Sequence, residues 1–101
     1  IIAATNPYED VRAELRERFD AKTIWIRCDI HTLVQRDTKG LYKKALLPNT
    51  HPEKIWNLTG INDIYETPEI FDLLIDTAEN DFQTSRGKLF AYVFTLINCT
   101  R

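Results

Sequence analysis

Nine consecutive residues, Arg36-Asp37-Thr38-Lys39-Gly40-Leu41-Tyr42-Lys43-Lys44, carry four cations around one glycine, a composition suited to gripping phosphate. An ammonium on a flexible stem is a movable point charge, and a guanidinium such as that of Arg36 can fork onto two oxygens at once. Helical phase puts Lys39 and Lys43 four residues apart on one face with Lys44 beside them, and Gly40 lets the backbone bend where a side chain would block approach. The same run also reads as the solvated start of a helix. His31 and His51 have no metal-ligand spacing with each other or with the cysteines, so both read as surface residues.

The elements that must position this cluster follow from periodicity. Ile1-Ile2-Ala3-Ala4 is a short apolar run suited to a strand covered on both faces, and Thr5-Asn6-Pro7 reads as a turn into a helix. Tyr8, Val11, Leu15 and Phe19 recur at helical spacing, with Glu9, Arg12, Glu14, Arg16 and Arg18 largely outside. A strand is expected at 23–28, then a helix across His31 to Arg36 and a second short helix that ends at Leu47, before Pro48. Residues 48–68 hold three prolines and one glycine and read as an irregular lid or substrate loop, the lid as a whole covering about 37–68. A third strand is expected at 73–77. Asn80, with Gln83 three residues on, reads as the cap of a last helix whose apolar face includes Phe82, Leu89, Phe90, Val93, Phe94, Leu96 and Ile97. Strands separated by helices imply parallel pairing with right-handed crossovers.

With 101 residues the chain makes one domain at most, and 44% hydrophobic with 28% charged content is that of an ordinary globular protein. No apolar run approaches the roughly 18 residues of a membrane span. A net charge of −2 argues against a nucleic-acid surface, so the partner of the basic cluster is expected to be small and anionic. The chain has no methionine and begins Ile1-Ile2, from which a piece of a longer protein is expected. Cys28 and Cys99 are two, not a framework, and read as the reduced thiols of a cytoplasmic protein rather than as a disulfide. In that compartment the glycosylation matches Asn57-Leu58-Thr59 and Asn98-Cys99-Thr100 are accidental.

Taken together, RDTKGLYKKAL, LTGIND and the final IDT, in this order and spacing, resemble the C-terminal part of the kinase domain in adenylyl-sulfate (APS) kinases, from about Ile1 to Thr77. The resemblance implies an α/β fold over 1–101, part of a P-loop NTPase-type three-layer parallel sheet with flanking helices. The P-loop half is absent, since no G-x-x-x-x-G-K-[ST] occurs in the chain. It further implies a parent enzyme that moves the γ-phosphate of ATP to the 3′-hydroxyl of adenylyl sulfate in sulfate assimilation. Mg²⁺ and ATP would be bound mainly by the missing half, and this segment alone would be inactive. Partners implied are ATP and adenylyl sulfate, with a homodimer or a fusion to ATP sulfurylase, and no nucleic acid or membrane.

Residue roles follow from the same resemblance. Lys39, the lysine of the KGLY motif, would contact adenylyl sulfate, and Arg36 would lie near the ATP base and phosphates, its alternative being an ion pair with Asp37 or Asp29. Thr5 and Asn6 match a turn against the substrate, and Asn57 and Leu58 the segment that meets its adenine. Thr77 and Ala78, within the segment from Asp76 to Glu79, would border the ATP adenine. No catalytic residue and no metal ligand is assigned here. Two departures stand out. Leu58 replaces a phenylalanine whose stacking on a base is worth roughly 1–3 kcal/mol, leaving weaker adenine binding or a contribution from Trp56, which otherwise pins the loop to the core. Asn6 replaces a serine and removes a phosphorylatable hydroxyl. The alternatives are a related small-molecule kinase with another acceptor and a non-catalytic substrate-binding module of a sulfurylase–kinase fusion.

Overall fold

The structure is a computed structural model that describes residues 1–99, Cys99 by its backbone alone. Helix α1 spans Glu9–Phe19, strand β1 Ile24–Arg27, helix α2 Ile30–Arg36, helix α3 Leu41–Ala45, strand β2 Leu73–Asp76 and helix α4 Phe82–Cys99. Two compact units share them: Ile1–Ala21 with Asp29–Glu69, and Lys22–Cys28 with the chain from Ile70 onward.

In the second unit β1 and β2 pair in parallel, with Ile24 opposite Leu73 and Arg27 opposite Asp76. This matches the pairing expected for the 23–28 and 73–77 strands. Ile75 is the buried centre of the pair, and Trp25 meets Phe71 edge-on at 5.4 Å. Helix α4 packs on β2. Its N-cap is Asp81, whose Oδ1 accepts the Thr84 N–H at 2.7 Å, and not Asn80 as the sequence suggested. Asn80 instead donates to the Asp76 carbonyl at 2.8 Å and accepts from Lys88 at 3.2 Å. Much of the apolar face of α4 is open, with Phe90 and Phe94 stacked at 6.0 Å yet exposed.

The first unit holds α1, α2, α3 and a long irregular stretch. No helix or strand covers 46–72, apart from an isolated bridge between Thr59 and Asp63, as expected for the 48–68 segment. Residues 1–4 form no strand. A strand exists only through a ladder with a neighbour, and among the described residues Ile1 to Ala4 have none and lie exposed. Helix α1 ends on Asp20 in a left-handed conformation (φ 50°), whose N–H returns to the Arg16 carbonyl. The expectation that Arg12 faces outward also fails: Arg12 is 5% exposed, whereas Phe19 is 68% exposed. Three acceptors around the Arg12 guanidinium replace its water.

Cys28 is half-buried just after β1. The Cys99 thiol and Thr100 of the Asn98-Cys99-Thr100 match lie outside what the structure describes. Among the described residues no helix is long and apolar enough to cross a membrane.

Candidate substrate-binding site

Asp37 organises the basic cluster. Its carbonyl accepts the Gly40 N–H at 3.1 Å, while its carboxylate accepts the N–H groups of Tyr42 at 3.1 Å and Lys43 at 2.9 Å. These donors are orphans of the first turn of α3, so Asp37 does the work of a cap that Gly40, the formal N-cap, has no side chain to do. Gly40 sits at φ 69°, a conformation that a side chain disfavours. Thr38 and Lys39 are thereby held at the exposed tip of a tight turn. Lys39 precedes α3 and is not on a helical face with Lys43, because the left-handed residue between them breaks the helical phase.

A shallow pocket of ≈ 180 Å³ opens beside this turn, lined by Leu33, Arg36, Asp37, Thr38, Lys39, Leu41 and Tyr42. The lining joins an apolar patch to two cations, a pairing that suits a flat ring carrying phosphate. Among the described residues no side-chain hydrogen bond or ion pair engages Lys39, Lys43 or Lys44, so their charge is open to an incoming anion. At the other end of α2, Asp29 caps the helix by accepting the Thr32 N–H, and that bond with the Thr32 hydroxyl holds its carboxyl below the usual range.

Lys54 closes the far end of α3 by donating to the carbonyls of Ala45 at 2.9 Å and Leu47 at 2.7 Å. Its ammonium also lies 5.1 Å from the Trp56 ring, which ties that aromatic to the loop. The Asn57-Leu58 segment is held by Asn62. This amide accepts the Leu58 N–H at 2.8 Å and donates to the Ile55 carbonyl at 2.6 Å, while the Leu58 carbonyl takes the amides of Ile61, Asn62 and Asp63. Gly60 allows the reversal with φ 88°.

The Thr5-Asn6 turn is strained and clamped. Asn6 has φ 43°, a region that asparagine tolerates better than most residues. Its carbonyl accepts from Arg12 Nη1 at 2.7 Å, and Arg12 Nη2 donates to the Glu66 carbonyl. Arg12 Nε bonds Glu9 at 2.9 Å, and this bond, with a weaker one from Arg16, holds the Glu9 carboxyl below its usual value. Tyr8 gives α1 no side-chain cap, and the Glu66 carboxylate fills that place by accepting the Glu9 N–H at 3.0 Å.

Of the residues expected at the site, Arg36 and Lys39 share one pocket, and the Thr5-Asn6 turn joins through Arg12 and Glu66 to the stretch that also carries Asn57 and Leu58. Thr77 and Ala78 belong to the second unit. There the Thr77 N–H and hydroxyl donate to the Arg27 carbonyl at 2.8 and 3.2 Å, and the Ala78 N–H donates to Asp76 at 2.9 Å. The sequence reading gave no site role to Arg12, Glu66, Asn62 or Lys54; for Glu66, its partner Glu9 is 57 positions away and nothing local signals the pairing. The capping role of Asp37 had a signal, an aspartate three residues before a glycine that opens a helix. Among the described residues no group of three or more His, Cys, Asp or Glu side chains could hold a metal, and both Asp37 oxygens are taken by amides.

A parallel strand pair with flanking helices defines an α/β protein. The family described as Adenylylsulphate kinase matches residues 1–76, and the chain belongs to that family. A "Probable bifunctional SAT/APS kinase 2" of Sorangium cellulosum is 39% identical over 90 residues, covering 88% of this chain and 15% of the relative. The "Probable adenylyl-sulfate kinase" of Bacillus subtilis is 34% identical over 96 residues, 92% of this chain and 46% of the relative. A protein of the same description from Aeropyrum pernix is 31% identical over 102 residues, 96% and 53% respectively. The chain thus spans about half the length of the single-function relatives. No solved structure gives a significant match.

Proposed function

We propose that the protein carrying this segment is an adenylyl-sulfate kinase, which moves the γ-phosphate of ATP to the 3′-hydroxyl of adenylyl sulfate and yields 3′-phosphoadenylyl sulfate for sulfate assimilation. One observation carries the reading: inside the stretch matched to the family, the Asp37-capped turn holds Lys39 at a pocket it shares with Arg36. Phosphoryl transfer asks a protein for alignment and charge neutralisation more than for covalent work. Lys39 neutralises the acceptor anion, Arg36 meets the ATP phosphates, Thr5, Asn6, Asn57 and Leu58 frame the acceptor, and Thr77 with Ala78 borders the ATP base. Residues 37–68 act as the lid that excludes water. MgATP is held mainly by protein outside these residues, within a P-loop sheet of which β1 and β2 are part.

The protein works in the cytoplasm, as a homodimer or joined to a sulfurylase. The bifunctional name of the Sorangium relative supports the second arrangement. Incubating the whole protein with MgATP and adenylyl sulfate, with AMP and other adenine nucleotides as competing acceptors, tests the proposal. Formation of 3′-phosphoadenylyl sulfate in preference to other products is expected; preference for a different acceptor, or no transfer at all, would overturn it.

A further inference from the structure

The Arg12 guanidinium is an unusual residue to bury, and its partners explain why it is there. Removing a cation from water is costly unless every donor finds an acceptor. Here Nε bonds the Glu9 carboxylate, Nη1 the Asn6 carbonyl and Nη2 the Glu66 carbonyl. Two of these acceptors are main-chain groups of irregular segments 60 positions apart, not groups of the helix that carries Arg12. The contact is returned from the other side: the Glu66 N–H donates to the Pro7 carbonyl at 2.8 Å, and the Glu66 carboxylate caps Glu9. Asn6, held at φ 43°, is thus fixed from the same side chain that fixes the end of the 58–66 segment.

We propose that Arg12 is a positioning residue that couples the Thr5-Asn6 turn to the loop bearing Asn57 and Leu58, so that one guanidinium sets both sides of the acceptor-nucleotide clamp. This rests on the acceptor role assigned to those segments above. A planar fork can serve two carbonyls and a carboxylate in fixed directions, whereas the point charge of lysine cannot. Displacing a substrate-positioning segment by about 1 Å can cost as much as a hundredfold in rate, and the loss should fall on the substrate that the clamp holds.

The test uses the whole protein with Arg12→Met and Arg12→Lys, and with Glu9→Gln as a comparison that keeps both carbonyl bonds. Steady-state kinetics are read for both substrates, together with amide hydrogen exchange across 5–9 and 58–67. The expected result for Arg12→Met is a KM for adenylyl sulfate raised about tenfold or more, with the KM for MgATP within about twofold and Glu9→Gln close to wild type. Arg12→Lys should fall between them, and it keeps the test available if Arg12→Met does not fold. Exchange should rise in both segments together while the body of α1 stays protected. Equal rises in both KM values, or exchange that rises in one segment only or throughout the protein, would overturn the coupling. If the wild-type protein does not use adenylyl sulfate, the acceptor assignment falls, and the coupling stands or falls on the exchange pattern alone.

Discussion

Arg27 and Asp76 stand opposite each other in the parallel register of β1 and β2, and the guanidinium closes the pair by placing Nε at 3.1 Å and Nη2 at 2.9 Å from one carboxylate oxygen, Oδ2. The other oxygen, Oδ1, accepts the N–H groups of Ala78 and Glu79. One aspartate therefore joins the ends of the two strands and folds the turn in which Thr77 and Ala78 sit. Its carboxyl is held below the ordinary value, first by the Arg27 bond and then by the two amides. Because the folded value is depressed, the stabilisation is present above the unfolded carboxylate pKa of about 4 and is lost as pH falls through the folded one. Asp76→Asn should lower the melting temperature at neutral pH, and the gap to wild type should close as pH drops below about 4. A gap of constant size in melts from pH 7 to pH 2.5 would show that the charge contributes nothing.

The turn that presents Lys39 makes a separate prediction. Replacing a side chain that caps a helix start costs about 0.5–2 kcal/mol, and Asp37 carries two such amides. Asp37→Ala should therefore destabilise the protein by about 1 kcal/mol in denaturant unfolding, while raising the KM for adenylyl sulfate more than that figure explains. A change in stability alone would confine Asp37 to a structural role.

Glycine is required at the two left-handed positions for conformational reasons. A Cβ at Gly40 would meet nothing within 4 Å, and one at Gly60 would touch only the Ile30 Cδ1 at 3.5 Å, so space is not the obstacle. Left-handed backbone costs a residue with a side chain roughly 1–2 kcal/mol. Gly40→Ala and Gly60→Ala should each cost about 1 kcal/mol, and Gly40→Asn less. Unfolding midpoints unmoved by either alanine would mean that these turns relax to another conformation.

How far the fold was legible depends on where its signals lie. Strands β1 and β2 and helices α1 to α3 announce themselves by local periodicity and by Pro48, and all appear within a residue or two of expectation. Ile1 to Ala4 read as a strand because apolarity alone cannot say whether a neighbour exists to complete the ladder. Asn80 and Asp81 are adjacent acceptable caps, and only the bond to Thr84 decides between them. Arg12 follows the polar side of a helical wheel, yet a wheel has no knowledge of two carbonyls arriving from distant loops. The basic cluster was visible through its charge, whereas the side chains of Glu66, Asn62 and Lys54, which hold the surrounding loops, bond to main-chain atoms that carry no sequence signature.

For Lys39 the prediction concerns function in the whole protein. A hydrogen bond to a charged group is worth about 1.5–3 kcal/mol, and Lys39 makes no such bond among the described residues that its loss would disturb. Lys39→Ala should thus weaken adenylyl-sulfate use by a factor on the order of 10 to 100, chiefly through KM, with stability unchanged. An unaltered KM and kcat would remove it from the site.

The last prediction turns on exposed apolar surface. Phe82, Phe90, Phe94 and Ile97 of α4 are all more than half exposed, as are Ile26 of β1 and the run Ile1-Ile2. The pair of strands also has open outer edges, because among the described residues its sheet has two members. Contiguous apolar surface and open strand edges are templates for association. A two-stranded sheet is also marginal alone. The 101 residues expressed by themselves should therefore self-associate or remain partly molten, visible as concentration-dependent sedimentation and binding of a hydrophobic dye. They should also show no measurable affinity for MgATP, since in this class of enzyme most phosphate contacts come from a P-loop and its lysine. Charged substitutions at Phe90 and Phe94 should shift sedimentation towards the monomer without restoring nucleotide binding. A compact monomer that binds MgATP at micromolar concentration would place the nucleotide site within these residues, and the assignment of most phosphate contacts to protein outside them would have to be replaced.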